Sequence, residues 1–194
     1  MSWFDRHGRS FAWRRTTDPY AVLIAEMMLQ RTRAGQAEKV WNAFMERYPN
    51  LEAARTAPPE DLAELLRPLG LQWRIRNIIG AIRSLERLET PDDLRGVPGI
   101  GHYVESAVRC FAFGERVPVV DANVVRFYSL VFKFPVDDRT RRDPAFHAFA
   151  ASLLPDVRCK EYNWGLIDLM ANTKADVSSE LVSIVPRSKS QKHD

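Results

Sequence analysis

The chain has 194 residues, of which 45% are hydrophobic and 27% are charged, and its formal net charge is +3. These proportions are those of an ordinary globular protein, and the length suffices for one compact unit or two small lobes with a shared core. No apolar run reaches the roughly 18–20 residues that a membrane-spanning helix needs, and no N-terminal stretch has the form of a secretion signal. We therefore expect a cytoplasmic protein without a membrane partner.

Apolar residues recur at the helical spacing of three and four along nearly the whole chain. The clearest stripes cover residues 37–48, 75–88, 104–111, 124–132, 146–154 and 163–170. Proline and glycine fall between the stripes, which is typical of short connections. Only VPVV (117–120) and LVSIV (181–185) look extended, and the polar tail 186–194 is expected to be disordered. The sequence predicts an all-α fold.

One predicted helix begins at Pro19 and is apolar on all its faces, which indicates burial on all sides. Glu26 is its only charged residue, so a carboxylate is carried into or beside the core. Such a group needs a partner or a raised pKa. Glu26 therefore either caps a neighbouring helix or pairs with a buried arginine, or it serves as an acid that works near neutral pH.

The most specific pattern is LRGVPGIGHY at residues 94–103. Its glycines, Gly99 and Gly101, stand two residues apart between a short helix and an amphipathic one. A turn of this kind exposes backbone N–H groups beside a helix N-terminus, where they form a cradle for an anion such as a DNA phosphate. The pattern is a helix-hairpin-helix motif, which indicates DNA binding but does not by itself indicate catalysis.

Arginines in short polar segments also favour a nucleic-acid partner. They can pair with phosphate through two donors at once, although a solvated basic surface would explain them equally well. These residues are Arg14, Arg15, Arg31, Arg33, Arg74 and Arg76.

Asp121 begins the helix that follows the hairpin. An aspartate at a helix start is usually only an N-cap. Because Asp121 follows the extended segment 117–120, we expect its side chain to point inward, between the hairpin and the next helix.

Six segments, in this order and spacing, resemble the endonuclease III and adenine-glycosylase superfamily of base-excision repair. The resemblance is strongest to the Mig-type thymine glycosylases, which act on T·G and U·G mismatches. It covers about residues 11–170 and implies two helical lobes that flank a DNA cleft. The segments are FAWRRTTDPY (11–20), IAEMMLQRTRAGQ (24–36), LGLQWRIRN (69–77), VPGIGHY (97–103), VVDANVVR (119–126) and YNWGLIDLM (162–170).

The resemblance also implies lobe boundaries. A six-helix barrel would span residues 19–134 and would contain the helix-hairpin-helix at 94–113. Residues 1–18 and 135–185 would form the second lobe.

By the same resemblance, Asp121 matches the catalytic carboxylate of the family, and Glu26 matches the pocket glutamate of the adenine and mismatch glycosylases. Tyr103 stands where bifunctional relatives carry a lysine that forms a Schiff base. A phenol cannot form that imine, so no lyase activity is expected, and Tyr103 either belongs to a mismatch-type site or packs against the hairpin. The expected DNA contacts are Gln30 and Leu71, which would enter the duplex, together with Arg31, Val97, Pro98, Gly99, Gly101 and His102.

Most relatives bind an iron–sulfur cluster through four cysteines after the last core helix. This sequence has two cysteines, Cys110 and Cys159, so no cluster and no other cofactor is expected. The four histidines show no metal-ligand spacing, so no metal is expected either.

The sequence therefore predicts a monomeric, monofunctional DNA glycosylase near the nucleoid, which hydrolyses the N-glycosidic bond of a flipped, mispaired thymine or uracil opposite guanine in double-stranded DNA. Removal of adenine opposite guanine or 8-oxoguanine is an alternative, although the sequence ends without the C-terminal domain by which such relatives recognise the oxidised partner. Excision of another modified base is a further alternative. A non-catalytic DNA-binding protein is the rival class, but it would leave the burial of two carboxylates unexplained. A lyase-competent endonuclease is disfavoured by Tyr103.

Overall fold

The computed structural model describes residues 2–133 and 135–172. These residues form ten α-helices, with four short 3-10 turns among the connections and no β-strand within the described ranges, which confirms the all-α prediction. The helices are α1 (Ser2–His7), α2 (Pro19–Leu29), α3 (Ala34–Arg47), α4 (Leu51–Thr56), α5 (Pro59–Leu66), α6 (Gln72–Ser84), α7 (His102–Phe111), α8 (Ala122–Phe132), α9 (Pro144–Ser152) and α10 (Cys159–Asn172). In the described part of the chain, no helix has the length and apolar character to cross a membrane.

The two segments that look extended in the sequence have different outcomes. Residues 117–120 are irregular, without strand pairing among the described residues. The segment 181–185 and the tail 186–194, for which disorder was predicted, lie outside the described residues.

The chain divides into two compact units. One comprises Ser10–Val119, and the other comprises Met1–Arg9 with Val120–Asp194. The lobes expected from the resemblance divide the chain differently at two places, because they assign residues 10–18 to the second lobe and residues 120–134 to the barrel. In the structure, residues 10–18 belong to the first unit, and α8 packs against α10 in the second.

Helix α2 is the central element of the first unit. It begins with Asp18 as N-cap, whose carboxylate accepts hydrogen bonds from the first N–H groups, and with Pro19 at the first helical position. Residues 20–28 are all buried, as their uniform apolar character predicts. The helix packs against α3, α6 and α7, and the indole of Trp41 donates a 2.9 Å hydrogen bond to the carbonyl of Ala21. Burial on every side is what carries Glu26 into the core.

The second unit is built around α8, α9 and α10. Their apolar side chains form one core that includes Phe127, Tyr128, Phe146 and Leu166. The hydroxyls of Tyr128 and Tyr162 lie 3.1 Å apart and share a hydrogen bond, which satisfies both polar groups inside that core.

The N-terminal residues join the second unit through one buried ion pair. Asp168 on α10 is fully buried, and it accepts hydrogen bonds of 2.8 Å from the backbone N–H and from the Nε of Arg9. Helix α1 also packs on α10, where the rings of Phe4 and Trp164 stack. This pairing explains why residues 1–9 group with the C-terminal helices.

Candidate active site

Glu26 and Tyr103 form a hydrogen-bonded pair in the first unit. Only 3% of the surface of Glu26 is exposed, at the middle of α2. Tyr103 is the second residue of α7, and its hydroxyl donates a 2.9 Å hydrogen bond to Oε2 of Glu26. A carboxylate accepts several hydrogen bonds, so the phenol orients Glu26 without excluding a ligand. The structure thus brings two of the three predicted catalytic residues together.

Two turns of the first unit carry the residues expected to enter DNA. Gln30 is the C-cap of α2 and is partly exposed, and Arg31, which follows it, is exposed with a left-handed φ of 57°. Leu71 precedes α6 with a φ of 44°, and 42% of its surface is exposed. The left-handed region costs a non-glycine residue roughly 1–2 kcal/mol. Residues held in such strain cluster at functional sites, which agrees with the predicted role of both turns.

The hairpin glycines are required for different reasons. Gly99 has a φ of +83°, and a Cβ placed there would lie 2.8 Å from the Cβ of Asn77 on α6. Glycine is therefore needed at residue 99 for the fold itself. Gly101 adopts an extended φ of −95°, and a Cβ placed there would meet nothing within 4 Å. The fold does not require a glycine at residue 101, and its expected contact with a DNA phosphate stays a prediction.

The other hairpin residues that were predicted to contact DNA differ in exposure. Val97 is buried beneath the turn, whereas Pro98 is exposed. His102 is exposed as the first residue of α7, and Gly101 gives that helix no side-chain cap. The hairpin thus places exposed backbone at the N-terminus of a ten-residue helix, where the helix dipole favours an anion.

Asp121 is the N-cap of α8, in the second unit. Its Oδ1 accepts a 2.8 Å hydrogen bond from the Val124 N–H, and its Oδ2 accepts one of 2.9 Å from the side-chain amide of Asn123. Burial raises the pKa of Asp121, while the bonds from Val124 and Asn123 and the positive charge of Arg141 lower it, and the pKa remains above the ordinary value. The capping role considered in the sequence is therefore real. It does not exclude catalysis, because an ionised carboxylate has about four acceptor positions.

The sequence analysis missed two residues of these sites, Asn123 and Arg141, and assigned a wrong role to a third, Arg74. Asn123 could have been found, because a side-chain amide two residues after an N-cap aspartate is within reach of it. Arg141 gave no signal, because it follows Asp121 by a whole helix in the chain. For Arg74 the expectation was wrong. It was grouped with surface arginines suited to phosphate, but only 1% of its surface is exposed.

The cysteines do not fit the iron–sulfur cluster that the family resemblance implies. Such clusters are usually held by four thiolates, and the sequence contains two cysteines. Cys110 is buried on α7 of the first unit, and Cys159 begins α10 of the second. Within the described ranges, no group of three or more histidine, cysteine or acidic residues could hold a metal ion. The absence of a cofactor stays a prediction.

Comparison with known proteins identifies the family. The model described as "HhH-GPD superfamily base excision DNA repair protein" matches residues 24–143, more than half of the chain. The chain is 29% identical over 178 residues to the thymine/uracil-DNA glycosylase of Methanothermobacter thermautotrophicus, in a match that covers 88% of the chain and 80% of that protein. It is 31% identical over 179 residues to the adenine DNA glycosylase of Mycobacterium tuberculosis, covering 88% of the chain and 59% of that protein.

A solved structure gives the same result. The structure of a thermostable thymine-DNA glycosylase is 28% identical in sequence and matches with a TM-score of 0.79, over 91% of this chain and 85% of that one. The family predicted from the sequence motifs is thereby confirmed. The chain belongs to the HhH-GPD superfamily of base excision DNA repair proteins.

Proposed function

We propose that this chain is a monofunctional DNA glycosylase that removes thymine or uracil mispaired with guanine from double-stranded DNA. Two similar proteins, one thymine/uracil-DNA glycosylase and one thymine-DNA glycosylase, support this substrate. The observation that carries the proposal is the hydrogen bond from the half-buried Tyr103 to the buried Glu26. It sets an acidic acceptor beside a phenol at the position where lyase-competent relatives carry a lysine, and this arrangement suits hydrolysis rather than imine chemistry.

Asp121 acts on the sugar. Rupture of the N-glycosidic bond develops positive charge on the deoxyribose, and glycosidases stabilise such a state with a carboxylate. The ionised form of Asp121 supplies that charge and positions or deprotonates the attacking water. Its bonds from Val124 and Asn123 hold the carboxylate in one orientation, so no reorganisation is needed when the charge develops.

Glu26 acts on the departing base. It protonates, hydrogen-bonds or orients the leaving group, and the Tyr103 hydroxyl fixes its Oε2 atom for that contact. Glu26 itself lies in the core around α2, where burial strengthens its electrostatic interactions. Tyr103 lies in the first turn of α7, two residues after Gly101 of the hairpin. The same short segment therefore contacts the phosphate and orients Glu26.

The base must leave the stack before it reacts. Extrusion costs a few kcal/mol and costs least for a mispaired base, which is one source of selectivity. Gln30 and Leu71 then occupy the gap in the duplex, and the hairpin holds a phosphate through the backbone around Gly101. Arg31, exposed beside Gln30, adds a contact to the phosphate backbone.

The proposed enzyme works as a monomer and without a cofactor. Metal analysis of the purified protein, with its mass in solution measured in parallel, tests both statements. We expect one copy per particle and no stoichiometric iron or zinc. Iron bound at about four atoms per chain would contradict the argument from the cysteines.

Excision from defined duplexes tests the function. The protein is incubated with duplexes that contain T·G, U·G, A·G, A·8-oxoguanine or matched T·A, and each sample is then treated with alkali. We expect strand breaks at thymine and uracil opposite guanine, only after alkali, and none with T·A. The control variant Asp121→Asn should bind the T·G duplex normally and lose at least about 100-fold in rate.

Other outcomes would change the conclusion. Breaks confined to the adenine duplexes would assign the alternative, for which the similarity to an adenine DNA glycosylase is the supporting observation. Breaks without alkali, or covalent trapping by borohydride, would contradict the monofunctional mechanism. Binding without breaks in any duplex would favour a DNA-binding module.

A further inference from the structure

The two turns that carry Gln30 and Leu71 are joined by one buried side chain. Arg74, the third residue of α6, is 1% exposed. Its Nη1 lies 3.3 Å from the carbonyl oxygen of Met28 and also hydrogen-bonds the carbonyl of Gln30 and the hydroxyl of Thr32. Its Nη2 donates to the carbonyl of Leu69, on the other turn. A single guanidinium therefore contacts both turns.

This burial is costly, so it needs a reason. A guanidinium removed from water loses its hydration, and desolvation lowers the pKa of Arg74. Within the described residues its partners are carbonyl and hydroxyl oxygens, and none is a carboxylate. The oxygens of Met28 and Gln30 lie at the C-terminal end of α2, where the helix dipole favours a cation. The two Nη atoms thus find acceptors on the turns that they join, whereas the buried Nε has no hydrogen-bond partner among the described residues.

Both turns contain a strained residue next to a contact of Arg74. The carbonyl of Gln30 belongs to the peptide group that leads into Arg31, whose φ is 57°. The carbonyl of Leu69 lies two residues before Leu71, whose φ is 44°. Strained conformations persist only where the surroundings determine them. The guanidinium of Arg74 holds the backbone beside both strained residues through its bonds to the carbonyls of Gln30 and Leu69.

We infer that Arg74 is a positioning residue, which locks residues 30–32 and 69–71 into one rigid element so that Gln30 and Leu71 enter the duplex at a fixed separation. The inference rests on the proposed function, because it requires these two side chains to fill the gap left by the base. Because both turns are already ordered in the free protein, the entropy cost of fixing them is not added to the free energy of base extrusion.

Lysine cannot replace this arrangement. An ammonium group keeps the charge and the favourable interaction with the end of α2, but it is a compact point charge on a flexible stem. It cannot place separate nitrogens on the two turns, as the planar guanidinium does. Arg74→Lys therefore removes the connection between the two turns and keeps the positive charge.

The test measures extrusion and excision separately. A fluorescent base analogue next to the T·G mispair reports unstacking, and single-turnover cleavage after alkali reports excision. We expect Arg74→Lys to lower both rates about tenfold, with the affinity for a fully matched duplex within about twofold of the wild type. Arg83→Lys is the matched control, because Arg83 also donates from α6 to a backbone carbonyl, that of Ala57, away from both turns. It should leave both rates unchanged, and thermal unfolding of both variants reports any general loss of stability.

A double-mutant cycle gives the decisive result. If Arg74 acts through the two turns, Arg74→Lys should add less than about twofold to the defect of the Gln30→Ala/Leu71→Ala variant. A full tenfold effect in that background, or wild-type rates for Arg74→Lys alone, would overturn the inference. Failure of the proposed function looks different, since the wild type would then excise no base and Leu71→Ala would change nothing.

Discussion

The hydroxyl of Tyr103 donates a 2.9 Å hydrogen bond to Oε2 of Glu26, across 77 residues of sequence. This bond joins the first turn of α7, directly after the hairpin, to the middle of the most buried helix of the first unit. The sequence predicted that the Glu26 carboxylate is buried, and this bond defines its orientation.

Removal of the Tyr103 hydroxyl is expected to slow excision more than it affects DNA binding. Tyr103→Phe keeps the ring but deletes the donor to Glu26, and removal of one partner of a buried hydrogen bond costs about 1–3 kcal/mol. We expect a single-turnover rate at least about tenfold lower on a T·G duplex, with unchanged affinity. Tyr128→Phe, which deletes a buried tyrosine hydroxyl in the second unit, is the control. Equal rates for Tyr103→Phe and the wild type would remove the phenol from the site.

Substitution of the two hairpin glycines is expected to affect different properties, stability at residue 99 and DNA binding at residue 101. Gly101→Ala should leave the thermal unfolding temperature unchanged, because nothing lies within 4 Å of the added Cβ, and should weaken DNA binding. Gly99→Ala should lower the free energy of unfolding by about 1–3 kcal/mol, because it forces a left-handed alanine against Asn77. Thermal unfolding and fluorescence-anisotropy titration measure the two effects. Normal DNA affinity of Gly101→Ala would contradict the phosphate-binding role.

The acidic limb of the pH–rate profile is expected to depend on Asn123. Asp121 must be ionised to stabilise the sugar cation, so the rate falls as the pH drops through the pKa of Asp121, which burial raises. Asn123→Ala removes a hydrogen bond that lowers this pKa. The acidic limb should therefore move to higher pH, and the rate on the alkaline side should change less.

Single-turnover rates across the acidic range measure this shift. Asp143→Asn is a suitable control, because it alters the N-cap of α9 in the same unit and should leave the limb in place. A limb that is unchanged in Asn123→Ala would mean that another group controls the acidic side of the profile.

The raised pKa of Asp121 also has a consequence for stability. A carboxyl group with a raised pKa in the folded state is more costly to ionise there than in the unfolded chain. Its contribution to stability is complete below the ordinary pKa and is lost as the pH rises through the folded value. Asp121→Asn keeps a good N-cap residue and removes this cost. The inactive variant should therefore unfold at the same temperature as the wild type or higher at neutral pH, and a clear decrease would be contrary to this expectation.

Asp168 is expected to be important for stability and not for chemistry. Its fully buried carboxylate is held by Arg9, and loss of one member of a buried pair costs about 3–5 kcal/mol. Because Arg9 is partly exposed, we expect Asp168→Asn to lower the free energy of unfolding by about 2–4 kcal/mol. Denaturant titration measures this, and Asp5→Asn, which breaks an exposed pair with Arg158, should show no measurable change. A small effect for Asp168→Asn would mean that the N-terminal residues attach by apolar contacts alone.

The pattern of residues along the chain predicted most of the helices and their local chemistry, but not the short helices α1, α4 and α5. The uniform apolar character of residues 20–29 predicted a helix buried on every side, with Glu26 inside it. Gly99 and Gly101 were predicted to lie in a turn before a helix, and Asp121 was predicted to begin a helix. Both predictions are confirmed. These features depend on neighbours within a few positions, because helical periodicity, caps and turns are local interactions.

Which polar groups meet depends on the packing of segments that are distant in the chain. Whether Arg74 faces solvent or joins two turns depends on α2 and α6 packing together. Gly99 and Gly101 are both glycines of one motif, and the sequence does not distinguish them. Because α6 approaches the hairpin at Gly99, a side chain is excluded there but not at Gly101. The bond between Tyr103 and Glu26 arises in the same way. Each of these contacts exists because apolar burial draws distant segments together, and that packing fixes the partner of every polar group carried inside.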